Sequence, residues 1–256
     1  MDRVYDYDRI LQGILDVGEE MVCCGAEVSR VEDSIYRMCE SYGADRINVF
    51  IITSNIQVTM EAPDGRILTH IRRLVRYDAN FDRLDYLNDL SRYVCRAHPD
   101  ADELGRRLQL VLDRPQQPKI VNFLGSIMGA SGFTVFFGGT YLDCLSAAIV
   151  AVLIVLLQMF LAGREKNQIV YHFVISVAAG VAALLLVQLG LGDNSDKIMI
   201  GGIMLLIPGI AMTNAVRDML IGDIASGMLR LVNSLLMAAA IACGFAFSII
   251  VLGGVL

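Results

Sequence analysis

The chain of 256 residues contains no Trp, three His and no Lys before Lys119. Each scarcity excludes something. Its six Cys (23, 24, 39, 95, 144, 243) show no C-x-x-C spacing and no paired histidines accompany them, so no metal site and no cofactor are expected. A disulfide between the adjacent Cys23 and Cys24 would be strained, and reduced, mostly buried thiols are expected instead. No G-x-S-x-G, no H-E-x-x-H and no phosphate-cradling Gly loop occurs, which removes the usual sequence signs of a hydrolase, a metalloprotease or a nucleotide-driven pump. A secretory signal is not expected either, because Met1 to Asp8 is acidic and aromatic rather than basic and then apolar. The N-terminal region is therefore expected to stay on the cytoplasmic side.

What is present is an apolar excess, 55% hydrophobic residues against about 45–50% in ordinary soluble chains. It is unevenly placed. Met1 to Pro118 carries 15 Arg against 21 acidic residues, whereas Lys119 to Leu256 carries six basic and six acidic. The change falls at Arg114-Pro115-Gln116-Gln117-Pro118-Lys119, where two prolines disfavour a continuing helix. The expected organisation is a small α+β cytoplasmic domain at 1–114, a linker at 115–119 and an all-α domain of about five transmembrane helices at 120–256. The net acidity of the first part argues against nucleic acid as a partner.

Within 1–114, Ile10, Ile14, Val17 and Met21 recur at helical spacing, and Gly25 ends the helix. Val28, Val31, Ile35, Met38 and Tyr42 form a second helical stripe ending at Gly43. Ile47 to Thr53 is a nearly continuous β-branched and aromatic run, interrupted only by Asn48, read as a buried strand. Ile56, Val58 and Met60 alternate with polar residues, read as a half-buried strand. Pro63-Asp64-Gly65 is a turn, and Arg66 to Tyr77 is a third strand, basic on one side through Arg66, Arg72, Arg73 and Arg76. Phe81 to Val94 and Leu104 to Leu112 are two more helices. His70 and His98 are expected to be structural or solvated, without partners. The densest polar run is Gly25 to Asp33, in which Glu27, Arg30 and Glu32 form either a site at a helix start or surface ion pairs.

A spanning helix needs roughly 20 apolar residues. Ile120 to Gly138, Leu142 to Ala162, Ile169 to Leu189, Ile198 to about Thr213 and Leu229 to Leu252 approach or meet this. Basic residues alternate along these segments: Arg106, Arg107, Arg114 and Lys119, then Arg164 and Lys166, then Arg217 and Arg230. The intervening connections are uncharged or mainly acidic. The expected result is a multi-pass protein of the cell (inner or plasma) membrane, N-terminus cytoplasmic and C-terminus outside. Gly125-x-x-x-Gly129 in the first segment is expected to allow close helix approach, and Asp143 to be solvated at the outer boundary.

The most informative stretch is Pro208 to Gly227. It interrupts apolar sequence with Pro208, Gly209, Asn214, Arg217, Asp218, Gly222 and Asp223, and lipid penalises polar groups and unpaired backbone. A short, Gly/Pro-interrupted span marks discontinuous helices in transporters. Arg217 and Asn214 could hold a carboxylate, and Asp218 or Asp223 an amino group or a proton. Alternatively Arg217 is a topological anchor, and Asp218 and Asp223 are solvated in a connection between spans.

Three runs resemble the threonine/serine exporter family: Gly25 to Glu32; Gly129 to Gly139 with Asp143; and, most specifically, Gly201 to Gly209 continuing through Thr213 to Asp218, Gly222-Asp223 and Ser226-Gly227. The resemblance implies a secondary exporter of small polar metabolites, amino acids of the threonine/serine type or dicarboxylates such as succinate, and no enzyme. It implies the larger subunit of a two-component form, with a smaller all-membrane subunit of the same family, the lipid bilayer and a small-molecule substrate as partners; a homo-oligomer is a further expectation. The other readings are a membrane-tethered enzyme with Glu27 and Glu32 as acid and base, and a metabolite sensor or gate for a partner membrane protein.

Overall fold

A computed structural model describes residues 5–52, 54–74, 80–115, 118–161 and 167–252. They form mostly helices with one small sheet: α1 (Tyr7–Cys23), α2 (Val28–Ser41), β1 (Asp45–Ile52), β2 (Asn55–Glu61), β3 (Ile67–Arg73), α3 (Phe81–Ala97), α4 (Ala101–Leu112), α5 (Lys119–Phe136), α6 (Tyr141–Leu161), α7 (Gln168–Gln188), α8 (Ser195–Leu206), α9 (Gly209–Leu220) and α10 (Ile224–Leu252). They fall into two compact units. One holds Met1–Gln116 and Ala211–Leu231; the other holds Gln117–Ile210 and Val232–Leu256.

In the first unit α1, α3 and α4 start at side-chain caps. Asp6, Asn80 and Asp100 accept from the backbone N–H groups of Arg9, Arg83 and Glu103. The stripe Ile10, Ile14, Val17 and Met21 is fully buried, and so are Val31, Ile35 and Met38 of α2. Each such side chain contributes about 1.5–3 kcal/mol by leaving water. The strands pair antiparallel in the order β1-β2-β3. Ile56, Val58 and Met60 face the core as their alternation predicts.

The reading of 47–53 as a buried strand needs correction. Only Ile51 of β1 is buried, and Phe50 is 56% exposed, in line across the sheet with Gln57 and the exposed Ile71. The sheet is covered on one face, so a β-branched run records strand propensity there and not two-sided burial. The histidines are not solitary either. His70 Nε2 lies 2.8 Å from Asp8 Oδ1, and His98 takes a left-handed backbone as the C-cap of α3. Among the predicted basic face, Arg66 pairs with Asp64 and Arg72 with Asp16. Thr53, Arg76 and Tyr77 lie outside the described residues.

The second unit packs α5, α6, α7, α8 and the later turns of α10 around Val150, Ile154, Ile175, Ile198 and Phe245. Among the described residues α5, α6, α7 and α10 are long and apolar enough to cross a membrane. The α8–α9 pair makes a fifth if counted as one span, broken at Ile207–Pro208 with a bend of 54°. Proline there has no N–H to donate and excludes helical continuity. Of the pair expected to allow close helix approach, Gly125 has no atom among the described residues within 4 Å of where a side chain would begin, whereas one at Gly129 would meet Leu205 at 3.4 Å. A closer approach occurs at Gly201, where a Cβ would sit 2.6 Å from the Ala130 carbonyl oxygen. Asp143 is not solvated. It is fully buried, and its carboxylate accepts from the backbone of Thr140, Asp193 and Asn194 and from the Asn194 amide. That satisfies a charge that burial would otherwise make costly. Ala162, Arg164 and Lys166 lie outside the described residues.

Candidate functional site

The polar residues singled out in two distant stretches meet within the first unit. The local cause begins at Gly25, whose φ of 94° is strained for any residue with a Cβ. Its N–H donates to the Val22 carbonyl and that of Ala26 to Met21, closing α1 and turning the chain sharply into α2. Glu27 occupies the N-cap of α2 in an extended conformation, yet its side chain makes no capping hydrogen bond. The carboxylate reaches instead to Arg217 of α9, 190 positions away, with Nη1 to Oε1 at 2.5 Å.

One and a half turns along α2, Glu32 Oε1 accepts from the backbone N–H of Ile51 at 3.0 Å. The Ser226 hydroxyl, near the start of α10, donates to the Ile51 carbonyl at 3.4 Å. One strand residue is thus gripped on its backbone from two helices. Burial pushes the Glu32 carboxyl above its ordinary value of 4.5, and the nearby Asp223 charge adds to this, while the Ile51 N–H opposes. The fold therefore favours the protonated form, and its benefit is greatest at low pH. Unfolding free energy is expected to fall as pH rises from 4.5 through the raised value. In Glu32→Gln that slope should flatten, measured as urea unfolding across pH 4 to 8; an unchanged slope would assign the effect elsewhere.

On α9, neighbouring residues do opposite things. Arg217 is largely exposed and Asp218 is completely buried. The Asp218 Oδ2 lies 3.6 Å from Nη1 of Arg230 on α10, itself only 6% exposed, and neither Asp218 oxygen accepts a hydrogen bond among the described residues. Between the helices, Asp223 N–H donates to the Asp218 carbonyl, and the Asp223 carboxylate accepts from Ser226 N–H at the start of α10. Gly227 lets α10 touch α9, because a Cβ there would fall 2.7 Å from the Ala215 carbonyl oxygen. That contact sets Arg230, one turn on, against Asp218.

The structure therefore brings together Glu27, Glu32, Arg217, Asp218 and Asp223. Asn214 lies half-buried on α9, one turn before Asp218. Pro208 and Gly209 shape the break ahead of α9. Arg30 is exposed and forms no ion pair with Glu27 or Glu32; it lines a cleft between α2 and α3. The reading of Asp218 as solvated in a connection is overturned: Arg217 and Asp218 are helical, and only Asp223 sits in the turn. The sequence marks Ser226 only as part of the family resemblance and Arg230 only as a topological marker, and it assigns neither a place in the site. The available signal was the short turn after Leu220, which folds α10 back on α9 and brings Gly227 and Arg230 against Ala215 and Asp218.

Among the described residues no group of three or more His, Cys, Asp or Glu could hold a metal ion. Burial pushes the Cys39 thiol up to about 12 and raises that of Cys95 as well, so neither supplies a thiolate nucleophile near neutral pH.

Several apolar helices of spanning length, one of them a candidate broken span, define a polytopic α-helical membrane protein, here with a small three-stranded sheet. More narrowly, the chain belongs to the threonine/serine exporter family, whose family model matches residues 12–252. It is 23% identical over 247 residues to a "Probable threonine/serine exporter" of Mycobacterium tuberculosis, covering 94% of this chain and 46% of that protein. It is likewise 23% identical over 243 residues to a "Threonine/serine exporter" of Corynebacterium glutamicum, covering 91% of this chain and 49% of that one. The chain thus spans about half the length of the curated relatives it matches. No solved structure matches it.

Proposed function

We propose that this chain is the larger component of a secondary exporter that captures small amino acids of the threonine/serine type, or dicarboxylates such as succinate, from the cytoplasm. The relatives carry about as much sequence again as this chain matches, which supports a second component; that it is a smaller all-membrane protein is what the family resemblance implies. In this reading residues 1–114 form a cytoplasmic domain, 115–119 a linker and 120–256 five spans, with the C-terminus outside. Arg106, Arg107 and Arg114 before α5, Lys119 at its first residue, and Arg217 and Arg230 on either side of the α9–α10 turn support that orientation.

The observation that carries the site is the buried Asp218 carboxylate, close to Arg230 and without a hydrogen bond, in the same cluster as the Glu27–Arg217 pair. A substrate carboxylate would replace Glu27 on the Arg217 guanidinium, whose planar fork suits bidentate pairing. A substrate ammonium would give Asp218 the donors it lacks. Asp223 would hold the cluster in shape through Asp218 and Ser226, and the break at Pro208–Gly209 would let α9 adjust. The test is efflux of labelled threonine, serine and succinate from cells producing this chain with and without the protein that supplies the relatives' remaining length. Export above background is expected when both are present. Background efflux of all three substrates in both conditions would refute the assignment.

A further inference from the structure

A second polar site lies between α2 and α3, lined by none of Glu27, Glu32, Arg217, Asp218 or Asp223. Between α2 and α3 is a cleft of about 300 Å³ rimmed by four arginines, Arg30 and Arg37 from α2 and Arg92 and Arg96 from α3, above a floor that includes Asn88 and Ser91. Asn88 and Ser91 are buried, and all four arginines are exposed at the rim. The spacing follows from helix geometry. Residues 30 and 37 are two turns apart on one face, and 92 and 96 one turn apart on the facing one.

The charge there is not balanced by the protein. Arg37 donates to Asp33 at 2.9 Å and Arg92 to Asp89 at 2.5 Å. Arg30 and Arg96 have no carboxylate within ion-pair distance among the described residues. Four arginines thus line one cleft of a net-acidic segment together with a single carboxylate, Asp33, while Asp89 pairs with Arg92 from outside that lining. Like charges gathered this way repel unless an anion joins them. Guanidinium is the side chain best matched to carboxylate and phosphate oxygens. The floor adds polarity without adding charge, since Asn88 Nδ2 and the Ser91 hydroxyl donate to backbone carbonyls of their own helix.

We propose that the α2–α3 cleft binds a small oxyanion carrying two or more negative charges, held chiefly by Arg30 and Arg96. A volume of about 300 Å³ suits a small molecule of this class. This site is separate from the proposed export site and does not depend on that assignment.

The probes are citrate and inorganic phosphate, titrated calorimetrically into the full-length protein in neutral detergent, with chloride at matched ionic strength as control. Citrate or phosphate is expected to bind saturably at one site per chain, and chloride is not. Arg30→Ala with Arg96→Ala should weaken binding at least tenfold and leave the thermal midpoint unchanged or higher, because both side chains are exposed and their removal relieves repulsion. Arg46→Ala, which removes an exposed arginine paired with Glu61 elsewhere, should leave binding intact. Saturable binding that persists in the double variant would overturn the proposal, as would no saturable heat with either probe. Binding of phosphatidylglycerol in mixed micelles with no response to either free anion would overturn it too, assigning the cleft to lipid headgroups.

Discussion

Replacing Asp218 by Leu and Arg230 by Met together is expected to give a protein that folds and inserts but exports nothing. The two side chains are nearly inaccessible and 3.6 Å apart. Removing Arg230 alone leaves the buried Asp218 carboxylate without its nearby cation, at a cost of about 3–5 kcal/mol; replacing both with apolar groups of similar size is often neutral or stabilising. Arg230→Met should therefore reduce the amount of monodisperse protein recovered after heating in detergent, and the double variant should recover most of that loss. Efflux separates the structural role from the functional one. A purely structural pair would transport normally in the double variant, and normal transport there would remove Asp218 from the substrate site. Zero efflux from a well-folded double variant is the outcome that the proposed ammonium contact requires.

The second large effect is expected at Arg217. Its pairing with Glu27 is solvent-exposed on the arginine side, and such pairs contribute only about 0.2–1 kcal/mol to stability. Arg217→Ala should thus leave membrane insertion, abundance and thermal midpoint close to wild type. Transport should suffer far more. A charge-assisted hydrogen bond to substrate is worth about 1.5–3 kcal/mol, which at about 1.4 kcal/mol per decade predicts a loss of roughly 10- to 100-fold in efflux at low substrate. The exchange Glu27→Arg with Arg217→Glu sharpens the test. It restores an ion pair between α2 and α9 but puts a carboxylate where the substrate's carboxylate would bind, so efflux should stay low. Recovery of efflux in the exchanged protein would make the pair a structural strut.

How far the sequence reached depended on the range of the interaction. The stripe from Ile10 to Met21 defined α1 and its buried face, and the alternation at Ile56, Val58 and Met60 defined that of β2, because hydrophobic periodicity records one element's own geometry. Pro208 marked a helix break for an equally local reason. Phe50 shows where this stops: a strand's residues declare their propensity, but whether the second face is covered depends on how many layers the rest of the chain supplies. Asp143 was misread for the same reason, since the donors that satisfy it come from Asp193 and Asn194, fifty residues on.

The site divides along this line. That Glu27, Arg217, Asp218 and Asp223 were candidates was legible, because charge beside glycine and proline in an apolar region is costly and needs an occasion. That Glu27 meets Arg217, that Asp218 is buried against Arg230, and that Arg30 turns away to another cleft were decided only by tertiary structure. By itself the sequence determined the helical stripes and the strand alternation, the apolar segments and which charges would be expensive. Only packing assigned those charges their partners, because a charge acts through space on whatever the fold brings near it, and its place along the chain carries no record of that neighbour.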